Sequence, residues 1–144
     1  MLSVYPACFF KEETGYSVIF PDLDWLSTCG DTVDDAMNRA VDCLAGYLYA
    51  FKREGNAYPV SSSLADIHID YVANELELEQ PGEDSFVNLI SVDVEVYAKK
   101  HFEKSVKKTL TIPAWLNQAA LEEGINFSQV LQEALICKLN ELKK

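Results

Sequence analysis

Two short stretches carry acids one residue apart, Asp22-Leu23-Asp24 and Asp93-Val94-Glu95. On a strand that spacing sends both carboxylates to one face. Several convergent carboxylates are what two-metal phosphodiester cleavage requires. The solvated side of a half-buried strand carries the same pattern, however, and nothing else completes a catalytic set. There is no Gly-rich phosphate loop, no G-x-S-x-G and no Cys/His dyad spacing. His68 and His101 have no recognisable catalytic neighbours and lie near no cysteine. Cys8, Cys29, Cys43 and Cys137 are widely spaced, whereas a zinc site wants paired Cys or His spacings. The expectation is no enzyme, no metal and no cofactor.

A different chemistry is written between Lys107 and Ile112. Lys107, Thr109 and Thr111 alternate with Lys108, Leu110 and Ile112, so a strand here has one polar face and one largely apolar face. Lysine can donate to guanine O6 and N7, and threonine can hydrogen-bond a base or set its methyl against thymine. The stretch lies in the basic part of an acidic chain, which holds 12 Lys+Arg against 23 Asp+Glu for a formal charge of -11. From Lys99 onward eight lysines face five acids; before it, four bases face eighteen acids. Such asymmetry suggests two surfaces with differently charged partners, DNA for the basic end and a basic protein for the acidic one.

The elements that must position these residues can be read in order. Residues 4–10, "VYPACFF", and 16–20, "YSVIF", are apolar runs separated by "KEETG", which predicts a β-hairpin. A short third strand is expected at 26–29, before Gly30. Val33, Met37, Ala40, Val41, Leu44, Leu48 and Phe51 recur at helical spacing. Thr32 and Asp35 form a variant capping box at the start of that helix, and Gly55 stands where it should stop. Residues 56–84 are loop-like, with room for a short strand or helical turn. The run from Phe86 predicts a strand with Val92, Val94 and Val96 on one face and Asp93 and Glu95 on the other. "KKHFEKS", within 99–106, reads as a polar linker.

After the alternating stretch, Pro113 stops the ladder and opens a short helix that Gly124 ends. Asn126, followed by Gln129, opens a second helix with Val130, Leu131, Ala134, Leu135, Leu139 and Leu142 at helical spacing. One strand and two short helices cannot bury that apolar surface alone, and a single strand has no ladder partner. Two copies solve both problems by pairing their strands over four interlocked helices. Residues 107–144 therefore predict a homodimer.

With 144 residues and 49% apolar content the chain is expected to fold. It has no uninterrupted apolar run near the roughly 20 residues of a membrane helix. "MLSVYPACFFKEE" does not resemble a signal peptide. The expected setting is cytoplasmic, away from membranes, with reduced and mostly buried thiols.

"KKTLTIPAWLNQAALEEGINFSQVLQEAL" (107–135) resembles the ribbon-helix-helix DNA-binding fold of the Arc and MetJ repressors. The shared features are the alternating residues, Ile-Pro, a short helix, a Gly-x-Asn-x-Ser turn and a second apolar helix. In that fold paired strands enter the major groove. The resemblance implies that Lys107, Thr109 and Thr111 face base edges in double-stranded operator DNA. It implies also that Asn126, Phe127 and Ser128 aim a helix N-terminus at a backbone phosphate. This chain departs from the pattern in having no arginine on the outward strand face, and some relatives use the fold only to dimerise.

"YPACFFKEETGYSVIFPDL" (Tyr5–Leu23) and "GDTVDDAMNRAVDCL" (Gly30–Leu44) resemble the HicB antitoxins, whose partner is the HicA ribonuclease toxin. The family pattern is a hairpin ending in Tyr-x-Val-x-Phe-Pro-Asp-Leu, then Gly-Asp-Thr opening an alanine-rich helix. The resemblance implies an α+β fold: a truncated RNase H-like sheet with one main helix on one face, followed by the ribbon-helix-helix module. Asp24-Trp25-Leu26 replaces the Pro-Gly-Cys often found there. An acidic domain can cover an RNA-binding surface, speed association and compete with RNA. Asp22, Asp24, Trp25 and Asp31 are thus candidate toxin contacts. Each has a plainer reading: Asp22 as a turn former after Pro21, Asp31 as a helix cap, Trp25 as a lid on the sheet.

The expected organisation is a toxin-binding domain at 1–98, a linker at 99–106 and a DNA-binding, dimerising domain at 107–144. The expected function is an antitoxin that neutralises a HicA-like mRNA-cleaving toxin and represses its own operon as a dimer. The rival is a stand-alone ribbon-helix-helix repressor whose N-terminal domain senses a small ligand.

Overall fold

The computed structural model describes residues 1–143. The chain divides into two compact units, Met1–Lys104 and Ser105–Lys144; Lys144, the last residue of the expected DNA-binding domain, lies outside the described residues.

The first unit is built on an antiparallel sheet of four strands in the order β3-β2-β1-β4. The strands are β1 (Ser3–Lys11), β2 (Tyr16–Phe20), β3 (Leu26–Gly30) and β4 (Phe86–Val92). Cys8 pairs with Ile19 at the first β1–β2 position, and Pro6 stands opposite Leu89 of β4. Pro6 therefore lies beyond the β2 ladder, where its missing N–H costs no pairing on that side. Alternate residues point to opposite faces, and both faces are covered. This is why β1 is buried continuously from Tyr5 to Phe10 instead of alternating.

On one face Tyr5, Ala7, Phe9, Val18 and Phe20 meet helix α1 (Val33–Arg53) through Ala36, Ala40, Leu44 and Leu48. These helix residues fall every four positions, the spacing that keeps one stripe on the sheet. On the other face Cys8, Phe10 and Ile19 pack against Val72 and Ala73 of a short helix α2 (Ile69–Glu75). Each of the larger side chains so buried contributes about 1.5–3 kcal/mol relative to exposure. The sheet thus has a main helix on one face, as expected, and a second, smaller helix on the other. Residues 56–84, which the sequence left open, supply it, along with a 3₁₀ turn at Leu64–Asp66.

Thr32 caps α1, its Oγ1 accepting from Asp35 N at 3.1 Å. The reciprocal bond shifts by one residue, because Asp35 Oδ2 accepts from Asp31 N rather than from the cap's own N–H. Gly55 ends the helix at φ +83°, with its N–H on Lys52 O and Asn56 N–H on Phe51 O.

The strand expected to run through Val96 stops at Val92. Helix α3 (Val94–His101) follows, so Asp93 and Glu95 do not share a strand face with their valines opposite. Asp93 makes the difference: its Oδ1 accepts from Val96 N at 3.1 Å and caps the helix. Val94 and Ala98, four residues apart, are its buried stripe, while Lys99, Lys100 and His101 complement its last turn. The first residues of the expected linker are thus helical.

The second unit contains α4 (Ala114–Glu122) and α5 (Phe127–Leu142). Pro113 occupies the N-cap position of α4, and Gly124 closes it at φ +66°. Asn126 caps α5, its Oδ1 accepting from Gln129 N at 3.1 Å. Gln129 does not return the bond; its Nε2 donates to Glu133 instead. Residues 107–112 are neither strand nor helix in the single chain, consistent with a strand that has no ladder partner of its own. No residue of α4 or α5 is buried.

Candidate functional site

In the first unit the candidates cluster around the β2–β3 connection. Leu26 N donates to Leu23 O at 3.0 Å, and the two residues between have φ of 52° (Asp24) and 60° (Trp25). Positive φ at both central positions makes a type I′ turn, whose twist suits a hairpin but which favours Asn-Gly. An aspartate tolerates this conformation and a tryptophan strains in it. The strain displays an aromatic side chain at the tip of the turn, 39% exposed.

Asp22 is committed elsewhere. Its carboxylate accepts from Ser62 N at 2.7 Å and from Ser62 Oγ at 2.8 Å, pinning the loop after α1 across 40 residues of sequence. Tyr5 Oη donates to Pro59 O of the same loop. Asp24 Oδ2 accepts from Tyr47 Oη at 3.4 Å, and Tyr47 stacks on Phe51 with centroids 5.6 Å apart. Burial, then the neighbouring Asp24, holds the Tyr47 phenol above its usual pKa, so it remains a donor. Asp31 is exposed, and its backbone N–H serves the cap while Thr32 supplies the capping oxygen.

Asp24 and Trp25 are thus displayed together, Asp22 supports the loop beside them, and Asp31 stands apart at the start of α1. Sequence alone gives Phe51 only as an apolar helix position and assigns no role to Tyr47 or Ser62. The i,i+4 spacing of Tyr47 and Phe51 was legible on the helix, whereas nothing local announces Ser62.

The other acid pair is spent structurally. Asp93 caps α3 and takes the terminal ammonium of Met1 at 2.8 Å; Glu95 pairs with Lys52 at 3.0 Å. The ammonium of Met1 and the Val96 N–H hold Asp93 below the usual carboxylate range. Among the described residues no three His, Cys, Asp or Glu side chains come together as metal ligands.

The thiols do not follow expectation throughout. Cys8 is buried, which pushes its pKa up to about 11. Cys29 is exposed on the outer strand β3, and Cys137 is exposed on α5 because that helix buries nothing in one chain.

In the second unit Leu110 and Ile112, with Lys108, line an apolar groove of about 610 Å³ completed by Leu116, Phe127, Val130 and Leu131, among others. Lys107, Thr109 and Thr111 are absent from its walls and exposed. The two-residue alternation is therefore expressed as a groove side and an outward side even without a ladder. Phe127 and Ser128 line the groove, while Asn126 is occupied as the cap of α5. Among the described residues no helix is long and apolar enough to cross a membrane.

Comparison with known proteins covers both units. The family model described as HicB_like antitoxin of bacterial toxin-antitoxin system matches residues 5–134. Antitoxin HicB 2 of Photorhabdus laumondii is 30% identical over 70 residues, 49% of this chain and 50% of that protein. An uncharacterized 14.9 kDa protein of Haemophilus phage HP1 is 26% identical over 113 residues, 78% of this chain and 75% of that one. Among solved structures, a chain of a toxin-antitoxin complex from Streptococcus pneumoniae superposes with a TM-score of 0.62 at 29% identity, covering 96% of this chain and 99% of that one. A match running from β1 into α5 is more than a shared hairpin: the chain belongs to the HicB-like antitoxin family of bacterial toxin-antitoxin systems.

Proposed function

We propose that the chain is an antitoxin with two activities: its first unit captures and neutralises a HicA-like, mRNA-cleaving toxin, and its second represses its own operon by binding operator DNA as a dimer. The observation that carries the reading is the family match over residues 5–134, which takes in both units. In this reading the first unit is a truncated RNase H-like sheet and the second a ribbon-helix-helix module.

Toxin contact centres on Asp24 and Trp25. A half-exposed tryptophan beside a carboxylate suits a basic protein surface, where an arginine can lie over the ring and pair with the acid. Asp22 and Asp31 contribute charge around that contact. In the second unit the exposed groove face of Leu110, Ile112, Phe127 and Val130 supports a second copy as its cover. Pairing two chains through residues 107–112 would complete a ladder and turn Lys107, Thr109 and Thr111 toward base edges, with Asn126, Phe127 and Ser128 at the phosphates.

The test is co-expression with the product of any adjacent short basic gene, followed by capture and an RNA-cleavage assay. The reading requires a stable complex in which cleavage is silenced; free toxin activity beside the intact antitoxin would refute it. Trp25→Gly separates anchor from ornament. It should relieve the turn and raise stability by about 1 kcal/mol, while weakening toxin capture by tenfold or more on the order of a modest hot spot.

A further inference from the structure

The four-stranded sheet of the first unit ends in two unlike edges. β3 is five residues long, and its Ser27 carbonyl receives the Cys43 thiol of α1 at 3.9 Å. β4 is seven residues long and carries no charge and no proline. Its pairing with β1 runs unbroken from Ser3–Val92 to Phe9–Phe86, so no bulge twists it away. Proteins ordinarily blunt such an edge with lysine, proline, a bulge or a cover, because its free N–H and C=O groups template another strand.

The free groups can be named. Leu89 stands opposite Pro6, which has no N–H to exchange, and its own N–H donates instead to Asn88 Oδ1 at 2.9 Å. Bonding in an antiparallel ladder alternates by residue, so Val87 and Ser91 present their backbone groups to the same open side as Leu89. Val87 packs beside α2, and Leu89, two residues on and on the same face, is 44% exposed. Val4 of β1, diagonal to Leu89 on that face, is exposed as well. The edge thus offers a hydrogen-bonding row and an apolar strip for the alternate side chains of an added strand.

Charge selects the owner of that strand. Before Lys99 four bases face eighteen acids, so a second copy of this unit is repelled. At the head of β4, Glu83 and Asp84 are exposed and, among the described residues, in no ion pair. Lys11, whose N–H donates to Ser85 Oγ, turns its ammonium over the Tyr16 ring at 5.2 Å. At the far end Asp93 is matched by the Met1 ammonium and Glu95 by Lys52. The unmatched charge along this edge is negative.

We infer that β4 is a docking edge for an extended, basic segment of a protein partner, which joins the sheet as a fifth strand. The inference rests on the antitoxin reading above and assigns that segment to the toxin. Asn88 keeps the edge satisfied in the free chain, and its side chain must swing off the Leu89 N–H as the new ladder forms.

The experiment is residue-by-residue amide exchange of the full chain, alone and captured with the co-expressed product of the adjacent short basic gene. The Val87, Leu89 and Ser91 amides should slow by about tenfold or more in the complex. Those of Asn88 and Ile90, already in the β1 ladder, should change little. Leu89→Pro removes only an outward N–H, a change that an edge strand accepts. It should weaken capture by about tenfold and leave the urea midpoint of the first unit nearly unmoved. Asn88→Ala, which frees the donor, should capture no less tightly. Should Leu89→Pro fold poorly, the alternating pattern in the wild-type complex decides alone. A complex that silences cleavage while Val87 and Ser91 exchange as in the free chain overturns the docking edge and leaves the antitoxin reading standing. Protection that grows with the concentration of the chain alone overturns the choice of partner and makes the edge a self-contact. Absence of any complex overturns both readings.

Discussion

The two units treat the same kinds of side chain in opposite ways. Phe9 of the first is fully buried and stacked on Phe86 at 4.7 Å; Phe127 of the second is 40% exposed. Leu44 and Leu48 of α1 are closed off from solvent, whereas Leu135 and Leu139 of α5 are more than half exposed. Both helices have helical apolar spacing and a side-chain cap. What separates them is a sheet to lie on. Amphipathic pattern and capping suffice to write a helix, but most of its stability comes from the surface that covers its apolar face. The first unit supplies that surface from its own chain; in the second no residue of α4 or α5 is buried, and the proposed second copy would cover them.

The largest effect that could break this comparison is truncation at matched phenylalanines. Phe9→Ala should cost about 3–5 kcal/mol in urea unfolding of the first unit. Phe127→Ala should leave that transition in place and instead raise the concentration at which chains associate. Equal losses in a dilute sample would show that the second unit has a core of its own. Next, Asp22→Ala removes a charged acceptor from two Ser62 donors. It should cost about 1.5–3 kcal/mol, with faster amide exchange after α1 as its local sign. Smaller still, the two caps can be compared directly. Thr32→Ala and Asn126→Ala should each weaken their helix by about 1 kcal/mol, but only the first should move the unfolding midpoint of the sheet domain.

The smallest test is chemical. Cys29 should react with a thiol reagent in the native protein, while Cys8 should wait for unfolding of the first unit. Because burial raises the Cys8 thiol to about 11 from an ordinary value near 9, the folded state favours the protonated form. Stability from this group is therefore intact below pH about 9 and declines as pH climbs toward 11.

Local signals carried much of the fold. The hairpin of residues 4–10 and 16–20, the cap at Thr32, the stop at Gly55 and the start at Asn126 are each decided within a few residues, and the structure forms all of them. The reading failed where two periods overlap. "SVDVEVYA" satisfies a two-residue alternation, but Asp93 followed by Val94 and Ala98 also satisfies a capped helix, and the cap prevailed. In residues 56–84, Ile67, Ile69 and Tyr71 alternate as in a strand while Ile69, Val72, Ala73 and Leu76 keep helical spacing, and the helix α2 forms where the second face of the sheet needs covering. At the candidate site, Asp24 and Trp25 were legible as a departure from a family pattern. Their positive φ angles, the tie to Tyr47 and the grip of Ser62 on Asp22 are tertiary facts with no local code.

Sedimentation equilibrium of the full chain, across concentrations from below to above the micromolar range and repeated with Leu110→Glu, bears most directly on the proposed pairing of second units. The account predicts wild-type particles of twice the 16.2 kDa chain mass that dissociate on dilution. It also predicts that Leu110→Glu will be monomeric with the unfolding transition of the first unit unchanged. A wild-type chain that stays monomeric throughout, with α5 still helical by circular dichroism, would contradict it.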